Sequence, residues 1–535
     1  MSAKPLRSAS IILHRRTAAL SGGIGDVASE PGVATDGSPG QGRSELEVFL
    51  VRRAPGLRAW GDYLVFPGGT TEADDTLLPV CGKGDADERE LRACGLRELF
   101  EETGLLMTAP MGTERVAQGK PTFVGNREVR RALLKTSDGE EQHRILRDEL
   151  ERTSRVLDGT ALTRVARLVT PPYMRRRYDT TFFAVEAFDE PEVIPGELVA
   201  GAWHRPVAVL EKWRVGEEKI AAPVVAMLEI LAAHPPASAF AALADLPPMF
   251  EGSGRVILTQ PGYGVIPCET PPLPPHLPTN TFLVGEKRFF VIDPGPRGDP
   301  GLPHILTAVD ARLARGDQLE AILLTHHHRD HVGGLEALVQ RYGAPVWGHR
   351  KTGELLERPL DRELDDGAEV VLGRAPSGVE GWQLEALFTP GHAAGHLCFY
   401  DALHRTLIGG DLLSTLVSMY VGSPGGCLRD YFASLERVDR LAVDTFYPSH
   451  GALTHRLDAL LRKTLLHRRA RLEEVHGNLS AEPRSVEDVA RAVYARELDS
   501  SFAEFVVRAT RATLEHLVFE GRARAVPEDR FARLG

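Results

Sequence analysis

Residues 325–334, Thr-His-His-His-Arg-Asp-His-Val-Gly-Gly, constrain the fold more than any other stretch, because four potential metal ligands fall within six residues. The apolar run at residues 321–324 has the right length for a buried strand, and the apolar spacing after Gly334 is typical of a helix. Crowded imidazoles and a carboxylate must be paired when they leave water, so a surface histidine cluster is the weaker interpretation. The stretch predicts a metal site at a strand end, with potential ligands His326, His328, Asp330 and His331.

Three further strand ends carry potential ligands downstream. An apolar strand at residues 384–388 runs into Thr-Pro-Gly-His, another ends in Gly-Gly-Asp, and Phe-Tyr-Pro-Ser-His closes the series. A single His-x-His-x-Asp-His motif can arise by chance, whereas four ligand-bearing strand ends in this order form a specific pattern. The additional potential ligands are His392, Asp411 and His450.

These motifs resemble the metallo-β-lactamase superfamily over residues 255–470. The resemblance implies an αββα sandwich with its metal site at one edge of the two central sheets. Imidazole nitrogen suits Zn2+, and mixed His/Asp sites also accept Mn2+ or Fe2+. Two such metals would supply hydroxide at neutral pH and stabilise a developing oxyanion. The resemblance implies one metal on His326, His328 and His392, and a second on Asp330, His331 and His450, with Asp411 bridging.

Two residues of this half are expected to contribute to catalysis. Asp330 is expected to orient the attacking hydroxide in addition to binding metal. His396 follows His392 by four residues, and two interpretations stay open for it. It contacts the substrate or transition state, or it is a structural residue behind the ligands.

Length and composition set the class of protein. A chain of 535 residues exceeds what one hydrophobic core usually serves, which predicts two or three domains in an α/β multidomain protein. The formal charge of −11 argues against a dedicated duplex-DNA binder. Five cysteines without a Cys-x-x-Cys pair predict reduced thiols and a cytoplasmic location. No apolar run approaches a membrane span of about 18 residues, so no membrane partner is expected, and the N-terminus is predicted to begin with a strand.

A second acidic motif lies in the N-terminal half, in Arg-Glu-Leu-Phe-Glu-Glu-Thr-Gly at residues 97–104. On a helix, Glu98, Glu101 and Glu102 share one face, and Gly104 ends the helix. Adjacent carboxylates need a cation among them, and hard oxygen ligands suit Mg2+ or Mn2+. The alternative is a solvated acidic face, which the upstream Phe-Pro-Gly-Gly turn at residues 66–69 disfavours.

These residues resemble the Nudix box, and the resemblance covers about residues 1–235. It implies an α/β/α sandwich that hydrolyses diphosphates linked to another moiety, with Glu98, Glu101 and Glu102 as metal ligands and the last two as catalytic residues. An acidic insertion at residues 71–90 stretches the box. Its first carboxylate is therefore unassigned among the candidates Glu72, Asp74 and Asp75.

Residues 49–54, with Arg58 downstream, approximate the CoA-recognition signature of the CoA-diphosphatase-like branch of Nudix proteins. In that interpretation Arg53 and Arg58 grip phosphate groups by bidentate contacts.

The remaining segments are predicted from their composition. Residues 236–254 are Pro-rich and are predicted to be a linker. Residues 471–535 are predicted to form two helices and a wing, which resembles the winged-helix-like extension of the β-lactamase-like-protein-2 group, some members of which cleave single-stranded RNA. Residues 501–535 hold six Arg and five acidic residues, and this near balance favours a domain that walls the active-site cleft over one that binds nucleic acid.

Three functions follow as hypotheses, and none predicts an oligomeric state. In the first, the C-terminal half hydrolyses an ester or thioester, and the Nudix half hydrolyses a nucleoside-diphosphate-linked compound such as CoA or acyl-CoA. In the second, the C-terminal half is a single-stranded-RNA endoribonuclease guided by a basic helix that begins near Leu460. In the third, the Nudix half senses a nucleotide and regulates its neighbour.

Overall fold

The computed structural model describes residues 4–17, 45–57, 60–82, 84–112, 122–123, 126–171, 174, 176–246, 256–270, 278–298, 301–498 and 501–534. The chain divides into two compact units, Met1–Ser253 and Gly254–Gly535. Arg58 lies outside the described residues.

The first unit combines mixed sheets with helices. Its strands are β1 (Leu6–Thr17), β2 (Glu45–Arg53), β3 (Leu64–Val65), β4 (Gly68–Thr70), β5 (Val80–Cys81), β6 (Met107–Pro110), β7 (Thr122–Phe123), β8 (Arg155–Asp158), β9 (Thr163–Val169), β10 (Tyr178–Glu186) and β11 (Leu198–His204). Its helices are α1 (Ala86–Thr103), α2 (Arg127–Lys135), α3 (Gly139–Arg152), α4 (Pro206–Arg214), α5 (Ala222–Ala233) and α6 (Ala239–Ala244), with short 3-10 helices at Ala73–Leu77 and Gly159–Ala161.

The larger sheet of this unit has the order β11-β2-β1-β10-β9, with β3 beside β2 and β4 beside β1. Strand β1 is parallel to β10 and antiparallel to β2. Alternate residues of β1 point to opposite faces, so one face packs on α1, while His14 on the other face contacts Phe240 of α6. Helices on both faces confirm the predicted α/β/α layering. The core at the α1 face includes Ala9, Ile11, Leu13, Leu96, Leu99 and Phe100.

Helix α1 begins inside the predicted insertion and ends where the sequence indicated. Asp85 caps its N-terminus by accepting a hydrogen bond from the Glu88 backbone N–H at 2.8 Å. Gly104 ends it with a φ of 75°, a left-handed conformation that favours glycine. The described part of the Pro-rich segment contains α6, whose Ala239 and Leu243 are buried, so the segment is helical before residue 247.

The second unit contains two facing sheets. Its strands are β12 (Ile257–Gln260), β13 (Tyr263–Cys268), β14 (Thr279–Gly285), β15 (Arg288–Ile292), β16 (Gln318–Leu323), β17 (Val346–Gly348), β18 (Arg362–Glu363), β19 (Ala368–Arg374), β20 (Glu380–Phe388), β21 (Leu397–Asp401), β22 (Thr406–Ile408), β23 (Thr445–Tyr447), β24 (Arg484–Ser485), β25 (Ala523–Val526) and β26 (Arg530–Arg533). Its helices are α7 (Gly301–Ala314), α8 (Arg329–Val332), α9 (Leu335–Tyr342), α10 (Arg350–Leu356), α11 (Leu428–Asp439), α12 (Leu457–Gly477), α13 (Val486–Val493), α14 (Ala495–Leu498) and α15 (Ala503–Phe519).

Strands β12 to β18 form one sheet in sequence order, and β19 to β23 form the other. Their facing sides share a core that includes Phe282, Ile292 and Trp382. The outer side of the first sheet packs on α7 and α9, and that of the second packs on α11 and α12. This layering confirms the predicted αββα sandwich. Its ligand-bearing loops leave the ends of β16, β20, β22 and β23.

The C-terminal segment extends the hydrophobic core that lies between the second sheet and helices α11 and α12. Ser485 caps α13 by accepting a hydrogen bond from the Asp488 backbone N–H at 3.0 Å, and Gly521 follows the end of α15. Strands β25 and β26 form the predicted hairpin, with β24 beside β26. Helix α12 runs through the predicted boundary at residue 470, and Leu514 and Phe531 share one cluster with its Leu461. A separate winged-helix domain stays a prediction. Within the described ranges, no helix is long and apolar enough to cross a membrane.

Candidate metal centres

The first group of converging ligands lies where β16 ends and the chain turns into α8. His326 Nε2 and His392 Nε2 each lie 2.9 Å from His328 Nδ1. Asp411 Oδ2 lies 3.3 Å from His392 Nε2 and 4.0 Å from His326 Nε2. The four ligand atoms all lie within 4.8 Å of one another. Three imidazoles and one carboxylate facing a common point form a donor set that suits a divalent metal.

The second group shares Asp411 with the first. Asp330 Oδ2 lies 3.6 Å from His331 Nε2 and 3.4 Å from His450 Nε2. Asp411 Oδ1 lies 3.5 Å from His331 Nε2 and 3.3 Å from His450 Nε2. Asp411 therefore presents one oxygen to each group. The structure brings the seven side chains that sequence analysis selected to one place.

Hydrogen bonds on the far side of the histidine rings determine which nitrogen faces the cluster. Four rings place Nδ1 against an oxygen acceptor, so Nδ1 carries a proton and Nε2 faces the cluster, where it can bind a metal once it is unprotonated. Such outer contacts orient metal-binding imidazoles. The pairs are His326 with Thr325 Oγ1 at 3.0 Å, His331 with Asp293 Oδ2 at 2.8 Å, His392 with Tyr420 O at 2.7 Å and His450 with Pro278 O at 3.4 Å.

Two buried atoms of the cluster show that it fits a cation. His331 Nε2 and Asp411 Oδ1 have no hydrogen-bond partner among the described residues, although both are buried. Leaving such an atom unsatisfied costs about 1–3 kcal/mol. A divalent metal between them would satisfy both, so the residues present fit the ions that the motif implies.

The pKa values in the cluster reflect the same need for positive charge. Burial lowers the pKa of His331, but the carboxylates of Asp411, Asp330 and Asp293 outweigh it and raise that pKa well above its usual value. Burial raises the pKa of Asp330, but His331 and His450 outweigh it and lower that pKa to about 2. Protons therefore compensate the carboxylates, and metal binding would displace them.

The pKa of His328 is lowered to about 2, chiefly by burial and then by the neighbouring imidazoles of His392 and His327. Its ring is therefore neutral, which keeps a nitrogen lone pair free for a metal.

Asp293 is a functional residue that sequence reasoning did not identify. It follows β15, is fully buried and has a φ of 52°. Its carboxylate accepts from the Thr325 backbone N–H at 2.8 Å and the Thr325 hydroxyl at 2.6 Å, in addition to the His331 ring. The missed signal is Asp-Pro-Gly at the end of a strand parallel to β16, with Ile292 beside Leu323. Parallel strands bring their carboxyl ends to one edge, so Asp293 meets the ligand loop.

His396 lies behind the ligands rather than among them. It is fully buried, its Nδ1 lies 2.9 Å from Thr389 Oγ1, and its Nε2 accepts from the Asp411 backbone N–H at 3.0 Å. Burial lowers its pKa to about 3, so the ring stays neutral. With both nitrogens engaged by the protein, the structural interpretation of His396 is favoured over contact with a substrate.

In the first unit the acidic face of α1 surrounds one buried arginine. Arg97 Nη1 donates to Glu98 Oε1 at 2.9 Å and lies 3.4 Å from both oxygens of Glu101. Glu102 Oε2 accepts from the Gly68 backbone N–H at 2.9 Å, and a Cβ at Gly69 would overlap the Glu98 carboxylate. The glycine turn and the helix therefore approach each other closely, as the sequence indicated.

The positive charge near these carboxylates is too small to offset their burial, and the pKa values of Glu101 and Glu102 are raised. Burial raises the pKa of Glu101 to about 7, although Arg97 opposes the shift. Burial, followed by the charge of Glu98, raises the pKa of Glu102 well above its usual value. Hard oxygen donors of this kind fit Mg2+ or Mn2+. Among the described residues, groups of at least three ligand atoms within 4.8 Å all lie in the second unit, so the glutamates would have to rotate to share an ion.

The insertion supplies one buried carboxylate to α1. Asp75 is fully buried and pairs with Arg97 through Nε–Oδ1 at 2.8 Å and Nη2–Oδ2 at 3.3 Å. Among the candidates for the first carboxylate of the box, Asp75 is the one with hydrogen bonds to α1 in the described part of the chain, and the charge of Glu72 acts on Glu98 and Glu101. Arg53 lies close enough to Glu102 to lower its pKa, and its buried Nε has no hydrogen-bond partner among the described residues.

Two family models match the chain. The model of the metallo-beta-lactamase superfamily matches residues 274–450, and the NUDIX domain model matches residues 38–162.

Three curated proteins with lactamase-like names are similar to part of this chain. Lactamase-like protein adaB of Aspergillus niger is 31% identical over 197 residues, which are 37% of this chain and 57% of adaB. Lactamase-like protein nscB of Neosartorya fischeri is 30% identical over 253 residues, 43% of this chain and 72% of nscB. The beta-lactamase-like protein 2 homolog of Caenorhabditis elegans is 29% identical over 226 residues, 41% of this chain and 71% of that protein. The chain thus spans little more than half the length of adaB.

Proposed function

We propose that this chain, which belongs to the metallo-beta-lactamase superfamily and carries a NUDIX domain in its first unit, is a metal-dependent hydrolase with two separate centres. The second unit would hydrolyse an ester or thioester of a small molecule, and the first a nucleoside-diphosphate-linked compound. The observation that carries this proposal is that four imidazole Nε2 atoms face the two oxygens of Asp411, while hydrogen bonds at Nδ1 hold the rings in place.

In the second unit, the proposed ions are two Zn2+, or Mn2+ or Fe2+ in their place. Bound there, they would activate water and stabilise the developing oxyanion. Asp330 is 15% exposed and ionised, so it is available to hold a proton of the attacking water. Asp293 and the Tyr420 carbonyl hold the rings of His331 and His392 in place.

A small-molecule substrate is favoured over RNA by the state of the basic helix α12. Arg471 pairs with Glu474, and Arg456 and Arg462 both lie near Asp458. A groove that grips a nucleic-acid backbone needs unpaired positive charge along the strand. Ion pairs therefore neutralise part of the positive charge along this helix, which weakens the support for the endoribonuclease alternative.

In the first unit, Arg53 supports a phosphate-bearing substrate. It stands beside Glu102 with an unpaired Nε, and arginine suits phosphate recognition because its donors match two oxygens at once. We propose Mg2+ or Mn2+ on Glu98, Glu101 and Glu102, with CoA or acyl-CoA as the compound to test first. The five cysteines are free, which suits the reducing cytoplasm that we propose as the location.

The proposal is tested by mass-spectrometric product analysis of acyl-CoAs, CoA and single-stranded RNA with Mg2+ or Zn2+. We expect free CoA from acyl-CoA in the wild type and in Glu101→Gln but not in His326→Ala. We expect phosphopantetheine products in the wild type and in His326→Ala but not in Glu101→Gln. RNA fragments that depend on His326, with CoA compounds intact, would move the second unit to the endoribonuclease function.

A further inference from the structure

A buried row of alternating charges leads from α3 to the acidic face of α1. His143 Nε2 lies 3.0 Å from Asp75 Oδ1, and Asp75 pairs with Arg97, which holds Glu98 and Glu101. The side chains of His143, Asp75 and Arg97 are 4%, 0% and 2% exposed. Neither the proposed chemistry nor the Nudix motif accounts for the histidine at the start of this row.

Both ring nitrogens of His143 face oxygen acceptors. Nδ1 lies 2.8 Å from the Gly139 carbonyl oxygen, and Nε2 faces Asp75. An imidazole donates from both nitrogens only when it is protonated. The ring is therefore a cation, and it bridges the start of α3 to the 3-10 helix of the insertion.

Asp75 depends on this contact for its orientation. Its Oδ2 accepts from the Glu72 backbone N–H at 2.9 Å and lies against Arg97 Nη2. Its Oδ1 receives His143 and Arg97 Nε. A carboxylate with four donors has one permitted orientation, and Arg97 paired to it through two nitrogens is fixed in turn. Arg97 Nη1 is then a fixed cation beside Glu98 and Glu101, and it limits how far their carboxylates can turn when they bind an ion.

We propose that His143 is a positioning residue for the metal-binding glutamates of the first unit, acting through Asp75 and Arg97. The inference rests on the proposed function of that unit. It adds that a helix outside the Nudix motif, together with the insertion, completes the centre. The docking of α3 is supplied separately by the buried Leu146 and Leu150, so removing the imidazole should leave the helix in place.

The test measures Mn2+ binding by electron paramagnetic resonance on the full chain without substrate. Mn2+ bound at other sites of the chain is measured in Glu101→Gln, and this amount is subtracted from the binding of every other variant. We expect about tenfold weaker binding in His143→Leu, because loss of an outer contact costs about 10- to 100-fold in metal affinity. His143→Gln can still donate to Asp75 and should stay within about threefold of wild type. Arg144→Leu, on the exposed side of α3 with partners Glu141 and Asp148, should not change binding.

A kinetic readout separates positioning from a general loss of structure. In His143→Leu, the Mn2+ concentration for half-maximal diphosphate hydrolysis should rise by the same factor, while KM at saturating Mn2+ stays unchanged. If His143→Leu fails to fold, His143→Asn replaces it, because its shorter amide does not reach Asp75.

The positioning role is overturned if His143→Leu, or its replacement, binds Mn2+ as tightly as the wild type while Glu101→Gln loses the binding. That result leaves the proposed function intact. Binding that Glu101→Gln does not change overturns both.

Discussion

Asp293 accepts a hydrogen bond from His331 Nδ1 at 2.8 Å while its own backbone has a φ of 52°. A non-glycine residue in the left-handed region costs about 1–3 kcal/mol and persists only where its surroundings enforce it. Here the enforcing contacts are those of Thr325, which precedes the first ligand. The end of β15 is therefore built to hold one ligand of the second unit.

Replacing Asp293 by asparagine should weaken metal binding without unfolding the second unit. Asparagine tolerates a left-handed φ, but its neutral amide is a poorer acceptor for the His331 ring. We expect about 10- to 100-fold weaker Zn2+ affinity, measured by competition with a chromophoric chelator. Asp310→Asn, which breaks an exposed pair with Arg341, is the matched control. Equal affinities in the two variants would contradict the role given to Asp293.

Removing metal should lower the thermal stability of the second unit. The buried His331 Nε2 and Asp411 Oδ1 then lose the partner that we propose for them. A ligand at 1,000 times its Kd stabilises a protein by about 4 kcal/mol. Calorimetry of the chelator-treated chain should show the second unit's transition at lower temperature, restored by Zn2+. His326→Ala should respond less, and an identical response in it would count against the assigned site.

Sequence patterns identified the ligand histidines because each follows an apolar strand, so that local periodicity also determines where the side chain lies. Asp293 was missed because its role depends on the parallel pairing of β15 with β16, which no local pattern records. Asp75 was left unassigned for a related reason. It meets Arg97 across 22 residues of sequence, through an insertion whose path depends on tertiary contacts. The boundary placed at residue 470 falls inside α12, because this helix carries apolar residues that serve both neighbouring segments.

An alanine at Gly69 should disable the first centre alone. The added Cβ would overlap the carboxylate of Glu98, which Arg97 holds in place, so that glutamate must leave its position. We expect loss of the Mn2+ binding that Glu101→Gln also removes, with thioester hydrolysis by the second unit unchanged. Gly56→Ala is the control, because nothing lies within 4 Å of a Cβ there. Normal Mn2+ binding in Gly69→Ala would show that the turn does not form part of the centre.

The stability of the first unit should depend on the protonation of His143. Burial lowers the pKa of this ring, but the hydrogen bonds to Asp75 and the Gly139 carbonyl outweigh it, and the pKa is raised above 6.5. Other charges that face the ring are Glu72 and Arg97. The folded state therefore binds the proton more tightly than the unfolded state. The stability that the protonated His143 ring contributes is complete below a pH of about 6.5. It is lost as the pH rises through the folded-state pKa of the ring.

The dependence of stability on His143 protonation is measured by urea unfolding of the wild type and of His143→Gln, at pH values from about 5 to about 9. The difference in unfolding free energy between the two should shrink as pH rises, by at most about 1.4 kcal/mol per pH unit. Taking the difference cancels the groups that both proteins share. A difference independent of pH would mean that His143 is not a cation in the folded state.

The loop that contains Tyr420 and Ser423 orients His392. Its Tyr420 carbonyl accepts from the His392 ring, and three residues on, Ser423 is tied to α15 through Glu515 at 2.9 Å and the Arg508 carbonyl at 3.0 Å. Ser423→Ala removes the hydrogen bond to Glu515. Because outer contacts orient metal-binding rings, we expect about tenfold weaker Zn2+ affinity and a fall in kcat/KM for small esters by the same factor. Ser480→Ala, whose exposed hydroxyl contacts only Glu482 O among the described residues, is the control. If Ser423→Ala leaves both quantities unchanged, α15 does not support the metal centre, and the C-terminal segment needs a different role.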